Sequence, residues 1–283
     1  MKSTIIADLH IHSNYSDGRN TLEEIVEMAK TAKLKTLSLT DHDSVDGIEK
    51  ITTLAKENAI EVIPGVEIST SVSGVRIHIL GYGIDIHNPE LKNYLAEMGK
   101  ARSENTKAIF EKNIARGTIN YSWDEVMRYF SSYSWINSNH IYEAMMRDGY
   151  FTDWKAYSKF YMDNFSIHSG VYCDIDGFSA QSAIEVIQKA QGIPVIAHPK
   201  LIHDDSQINK LLSFGLQGIE VFHPCHSMND IEKYHKMAQH LSLAITGGSD
   251  WHRPEGRYGE SIGSSGLDES EFQNFRNTLS NTL

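Results

Sequence analysis

Thr4-Ile5-Ile6-Ala7-Asp8-Leu9-His10-Ile11-His12 decides how the rest of the chain is read. Strand side chains alternate between faces, so Asp8, His10 and His12 share one face and Ala7, Leu9 and Ile11 the other. The i, i+2 spacing sets the two imidazoles about 7 Å apart at their Cα atoms, from which two ring nitrogens can converge on one ion. Two solvated or hydrogen-bonded histidines would share this pattern. Tyr15-Ser16-Asp17-Gly18 follows, and its Asp17 is either a turn residue or a further ligand. Thr21-Leu22-Glu23-Glu24 is a capping box. It opens a helix whose apolar positions Leu22, Ile25, Val26, Ala29 and Ala32 have helical spacing.

Working outward, strand and helix keep alternating through the first third. Strands are expected at 36–40, 61–63, 66–70 and 75–82, with a helix at 48–58. The last third repeats the pattern. Helices are expected at 183–190, 208–214 and 230–240, and strands at 193–197, 218–222 and 243–246, with Gly192 and Gly215 as helix stops. This alternation implies a parallel sheet, open or closed. The polar clusters follow the strands, at the ends where (β/α) barrels place their chemistry.

The middle, from about 89 to 176, differs. Asn88-Pro89 reads as an N-cap and first turn of a long polar helix through Ala115. Ser122-Trp123-Asp124-Glu125 is a second capping box, and further helices are expected at 139–147 and 153–163. Three of the four tryptophans lie here, which suits the core of a small helical domain. The expected organisation is a barrel domain at 1–88 and 177–283, with a helical insertion at 89–176 covering the active site.

Bulk properties exclude several classes. With 40% hydrophobic and 22% charged residues, the 283-residue chain is ordinary globular protein. No apolar run is long enough to span a membrane, and no leader is evident before the first strand. Only Cys173 and Cys225 are present, so no disulfide framework is expected and the cytoplasm is the default compartment. A net charge of −11 argues against gripping long duplex nucleic acid. An anionic substrate stays open, since bound cations can reverse the local field.

More histidines fall into the same grammar. His42 lies in Asp41-His42-Asp43 after a strand, where the polar residues could also cap a helix. Glu67 follows Val62-Ile63-Pro64-Gly65-Val66, and a buried glutamate needs a partner. His78 sits between Ile77 and Ile79 and faces opposite to both, as an ordinary core or surface histidine also could. His198 ends Pro194-Val195-Ile196-Ala197, and Asp250 and His252 repeat the i, i+2 spacing after a Gly247-Gly248 turn. Each is weak alone. Together, six histidines and three carboxylates fall on or after the expected strands of one sheet, as a Mn, Fe or Zn hydrolase site requires.

In order, the motifs His-x-His, Ser-Asp-Gly, Thr-Asp-His, Gly-Val-Glu, His-Ile-Leu-Gly-Tyr, Ala-His-Pro and Gly-Ser-Asp-x-His resemble the polymerase and histidinol phosphatase (PHP) family over nearly the whole chain. The resemblance is closest to its nucleotide and short-RNA phosphoesterases, which include the 3′,5′-nucleoside bisphosphate phosphatases. It implies a distorted (β/α)7 barrel with two to three divalent ions. One would be held by His10, His12, Glu67 and Asp250, and a second by Asp17, His42 and His252. A third would be held by Glu67, His78 and His198, with Glu67 bridging.

Asp17, His42, Glu67 and His252 are the residues expected to carry catalysis. Three divalent ions outweigh three carboxylates, so the site favours a dianionic phosphate ester over a neutral amide. Metal-bound water of pKa about 7 would supply the nucleophile. The expected reaction is hydrolysis of a phosphate monoester, or a terminal phosphodiester, on a small nucleotide or short RNA end. Candidate phosphate contacts are Arg102, His140, Lys200 and His223. Relatives have an Arg-Pro-His segment where this chain has Ser138-Asn139-His140, so only the histidine matches. A histidinol- or sugar-phosphate phosphatase, an amidohydrolase-like enzyme and an inactive metal-binding module are the competing readings.

Overall fold

A computed structural model describes the chain except residues 1–3, 132, 134, 173–174, 176, 255–260 and 283, so Cys173 and Asp176 lie outside the described residues. It divides into two compact units, Met1–Tyr94 with Phe178–Leu283, and Leu95–Gly177. The chain order is β1 (Ala7–Ile11), α1 (Leu22–Thr31), β2 (Thr36–Leu39), α2 (Ile48–Glu57), β3 (Glu61–Val62), β4 (Gly65–Val72) and β5 (Val75–Tyr82). Then come α3 (Pro89–Ala115), α4 (Trp123–Phe130), α5 (Ser138–Arg147) and α6 (Tyr157–Asn164). The remainder is α7 (Ala180–Lys189), β6 (Ile193–Ile196), α8 (Ser206–Ser213), β7 (Gly218–Phe222), α9 (Met228–Leu241), β8 (Ala244–Gly247) and α10 (Glu269–Thr282).

The first unit is mixed α/β. β1, β2 and β3 form one parallel sheet, and β4 to β8 form a second in chain order. The expected parallel arrangement holds for β6, β7 and β8, but β5 runs antiparallel to both β4 and β6. The cause is local. β4 and β5 are joined by Ser73-Gly74, both with positive φ (52° and 77°), the backbone of a tight two-residue hairpin. Isolated bridges pair His42 with Glu67 and Ile11 with Trp251.

Capping chemistry acts as the sequence indicates. Thr21 and Glu24 cap α1 reciprocally, and Leu22, Ile25, Val26 and Ala29 form its buried face. Asn88 Oδ1 accepts from the backbone N–H groups of Glu90 and Leu91, which starts α3. The unit's core joins Leu9, Leu80, Tyr82, Val195, Leu267, Phe272 and Phe275. Tyr82 is fully buried, and its hydroxyl donates to the Leu9 carbonyl at 2.9 Å. α7 starts at Ala180 rather than 183 because Ser179 accepts from the Ser182 N–H as its cap.

The second unit is helical. Its core is aromatic, built from Phe110, Phe130, Tyr142, Trp154, Phe160 and Phe165. The helix expected at 153–163 is split into a short 3₁₀ turn, Trp154–Ala156, and α6. No helix among the described residues is long and apolar enough to cross a membrane.

Candidate metal centre

Strand ends bring the polar residues together. On β1 the alternation places Asp8, His10 and the following His12 on one face, all without solvent exposure. Behind β2, His42 is fixed by the backbone pairing of its neighbours: the Asp43 N–H donates to the Glu67 carbonyl and the Glu67 N–H to the Asp41 carbonyl. Glu67 on β4 and His78 on β5 are diagonal neighbours on one sheet face. His198 follows β6 with φ 29°, and Asp250 follows β8 with φ 52°. Non-glycine residues with positive φ persist where surrounding structure holds them, and such positions cluster at functional sites.

Two glycines allow close approaches here. A Cβ at Gly248 would lie 2.3 Å from the backbone nitrogen of His10. One at Gly18 would lie 2.5 Å from the His12 carbonyl. Either substitution would push apart the segments that carry the candidate ligands.

Glu67 lies at the centre. Its Oε2 is 3.1 Å from His10 Nε2, 3.1 Å from His12 Nε2 and 3.2 Å from His42 Nδ1. Its Oε1 is 2.9 Å from His78 Nδ1 and 3.0 Å from His198 Nε2. Asp250 Oδ1 lies 3.3 Å from His10 Nε2 and 3.2 Å from His12 Nε2. Asp17 Oδ1 lies 3.3 Å from His252 Nε2, and Asp17 Oδ2 is 4.0 Å from His42 Nε2. All nine side chains picked out as ligands therefore meet in one place. They fall into overlapping groups able to hold an ion: His10, His12, Glu67, Asp250; His12, Asp17, His42, His252; and His42, Glu67, His78. The expected sets are recognisable, with His12 and His42 shared between groups.

These spacings suit cations. Tetrahedral bonds of about 2.0–2.1 Å put neighbouring ligand atoms about 3.3 Å apart. His10 Nε2 and His12 Nε2 face each other at 3.1 Å, and one proton can satisfy only one of the two. His12 Nδ1 and Asp250 Oδ1 are buried without a hydrogen bond among the described residues. Buried carboxylates and imidazoles in this density need compensating charge.

Protonation tendencies agree. Burial alone would raise Glu67, but the His42, His10 and His78 imidazoles hold it well below the usual carboxylate range. Asp17 and Asp250 are likewise held low by histidines against burial. Burial opposes a charged His12, yet Asp250 and Glu67 outweigh it and raise it from 6.5 to about 10. Burial pushes His42 down to about 4. Metal-free, the cluster draws in protons; cations would take their place.

The candidate phosphate contacts are placed differently from one another. His223 is buried, with Nε2 3.1 Å from Asp250 Oδ2 and Nδ1 accepting from the Cys225 N–H. Its proton therefore sits on Nε2 and holds one oxygen of Asp250, leaving Oδ1 toward His10 and His12. Lys200 pairs with Asp230 at 2.7 Å, beside the cap of α9. Arg102 and His140 belong to the helical unit. The Arg102 guanidinium lies 6.0 Å from the Trp135 ring centre, and His140 Nδ1 accepts from the Asn137 N–H in the cap of α5.

Three further buried carboxylates support the cluster without a motif that marks them as ligands. Asp8 accepts from the backbone N–H groups of Ser249 and Gly263, holding the Asp250 loop, and burial raises its carboxyl to about 6. Asp41 accepts from the Ser13 N–H and the hydroxyls of Ser13 and Ser16, steadying the turn that carries Asp17. Glu220 on β7 contacts His10 and the His198 backbone. For Asp8 and Glu220 the signal is the one that marks Glu67, an acidic residue inside an apolar strand; Asp41 follows β2 and carries no such mark.

Comparison with known proteins agrees with this geometry. The PHP domain profile matches residues 8–193. A phosphoribosyl 1,2-cyclic phosphate 1,2-diphosphodiesterase from Eggerthella lenta is 29% identical over 89% of this chain and 96% of its own length. A 3′,5′-nucleoside bisphosphate phosphatase from Chromobacterium violaceum is 31% identical over 90% of each chain. A crystal structure from Bifidobacterium adolescentis, assigned as a metal-dependent phosphoesterase, superposes with TM-score 0.82 and 26% identity, covering 95% of this chain and 94% of that one.

Proposed function

The chain belongs to the PHP domain family, and from that premise we propose that it hydrolyses a phosphate monoester on a small nucleotide-like substrate. It is a metal-dependent phosphoesterase. The observation that carries the finer reading is Glu67, buried with both oxygens approached by five imidazoles and with Asp17 and Asp250 alongside. We read the two sheets as one distorted (β/α)7 barrel, joined through the His42–Glu67 and Ile11–Trp251 bridges.

His10, His12, Glu67 and Asp250 would hold one divalent ion, and Asp17, His42 and His252, with His12 at the edge, a second. His78 and His198 would complete a third on the other oxygen of Glu67. Mn, Fe and Zn all suit this nitrogen and oxygen set. Bound there, such ions supply Lewis acidity and lower the pKa of a water to about 7.

The chain's own residues arrange the rest. His10, His12 and Glu67 have no exposure, whereas the side chains of His42, Asp17, His252 and His78 are 12%, 18%, 19% and 26% exposed. Substrate phosphate therefore approaches along the Asp17, His252 and His78 edge. Three carboxylates cannot neutralise two or three divalent ions, so the site attracts a dianion. The Eggerthella lenta relative is named for a cyclic phosphodiester, which favours a second reading with a diester as substrate. A panel of a phosphomonoester, a 3′,5′-bisphosphate, a cyclic phosphate, a short 5′-phosphorylated RNA and histidinol phosphate, with Mn²⁺ and read by phosphate release or product chromatography, separates them. Turnover of an amide but no phosphate ester would reject the proposal.

A further inference from the structure

Glu220 is an acidic residue in an otherwise apolar strand, Gly218-Ile219-Glu220-Val221-Phe222, and has no solvent exposure. A carboxylate so placed is costly unless its oxygens are satisfied. Both are satisfied here. Oε1 is 2.9 Å from His10 Nδ1, and Oε2 accepts the backbone N–H of His198 at 2.7 Å. The two bonds reach two other strands, β1 and the end of β6. We propose that Glu220 is the positioning residue that fixes His10 and His198 for metal binding, an inference that rests on the metal-centre reading above.

Its effect on His10 is on the tautomer. A carboxylate at Nδ1 keeps the proton there and leaves the Nε2 lone pair facing Glu67 Oε2 and His12 Nε2, each 3.1 Å away. Its effect on His198 is on the backbone. That residue sits at φ 29° and ψ 58°, and the Glu220 bond pins its N–H in that turn. The result is His198 Nε2 lying 3.0 Å from Glu67 Oε1. One carboxylate thus sets a nitrogen against each oxygen of the central glutamate. Glu220 also groups with His10 and His223 as possible ligands. Its oxygens, however, already meet the His10 ring and the His198 N–H, which leaves it the role of acceptor.

Glu220→Gln preserves shape but replaces one acceptor oxygen with an amide donor. If the amide faces His10, the ring must carry its proton on Nε2, where the ligand lone pair is needed. If it faces His198, two N–H donors oppose each other in the constrained turn. Either way metal affinity falls while the fold keeps its volume.

The test compares wild type, Glu220→Gln and His10→Ala by Mn²⁺ titration against a chelator, with metal counted by elemental analysis. Glu220→Gln should bind the same number of ions at saturation with affinity about 10–100-fold weaker. Excess Mn²⁺ should restore its turnover, and its metal-free melting temperature should stay close to wild type. Affinity within twofold of wild type overturns the inference, as does loss of one whole ion at saturation, which would make Glu220 a ligand. If His10→Ala also keeps full affinity, the metal-centre reading itself has failed; if Glu220→Gln alone does, only this inference has. Should Glu220→Gln not fold, the same titration of Glu220→Asp decides: the shorter side chain cannot hold both His10 and His198, so affinity about 10-fold weaker or more supports the inference, and affinity within twofold of wild type refutes it.

Discussion

The two units bury opposite kinds of interior. In the helical unit Phe110, Phe130 and Tyr142 pack at 1% exposure or less, and burial of apolar area is sufficient reason for them to be inside. In the α/β unit Asp8, His10, His12, Glu67 and Glu220 have no exposure at all. Burial strips water from each of them, a cost that only partners of opposite charge and hydrogen bonds offset. The first interior is self-sufficient. The second relies on hydrogen bonds, protons and, in the proposed working state, cations. The units should therefore respond differently to metal removal, pH and mutation.

The largest contrast is expected at Glu67. Glu67→Gln should lose more than one ion per chain and lower kcat/KM by about 10³-fold or more, since metal stabilisation of the transition state is worth several kcal/mol. Full metal occupancy in that variant would remove the bridging role. Phe130→Ala, in the helical core, should cost about 3–5 kcal/mol of stability in urea unfolding. The metal bound per folded chain should not change, and a parallel loss of metal would break the contrast. Arg102→Ala should raise KM for phosphorylated substrates about 10–100-fold, the worth of about 1.5–3 kcal/mol for a charged hydrogen bond, with metal content intact. Unchanged kinetics would take Arg102 out of the site.

Acid and base separate the units more finely. His12 is raised from 6.5 to about 10 in the metal-free fold. Its contribution to stability is fully present below pH 6.5 and disappears as pH rises through about 10. Metal-free protein should melt progressively lower from pH 6.5 to 10. Metal-loaded protein, whose imidazoles would be neutral ligands under the proposed reading, should not show that decline. Equal slopes in the two melting series would contradict this. In the helical unit the sign reverses. Asp148 accepts from Tyr121 and Tyr129 and pairs with Arg128, which together hold its carboxyl below the usual range. Its contribution is present above about 3.8 and is lost as pH falls through the lowered value. Asp148→Asn should flatten the acid limb of the melting profile slightly, and an unchanged limb would discount that network.

The same contrast explains what could be read in the chain. The convergence of nine candidate ligands was legible because strand periodicity puts i, i+2 imidazoles on one face and because metal chemistry admits few residue types. Two capping boxes, at Thr21 and Ser122, were legible because their chemistry is confined to four residues. The antiparallel course of β5 was not foreseen, because apolar alternation is the same in either direction and only Ser73-Gly74 marks the reversal. Glu220 and Asp41 were missed because each acts through another side chain or loop. The reach of His223 to Asp250 spans 27 residues of chain, which no local pattern reports. α10, with Phe272 and Phe275 in the core, lies beyond the last metal-ligand motif of the chain.

The most direct measurement is anomalous diffraction at the Mn edge from crystals grown with Mn²⁺. The expected result is at least two peaks within bonding distance of Glu67 oxygens, one of them shared with His10, His12 and Asp250. Strong peaks elsewhere, with none bonded to Glu67, would contradict it.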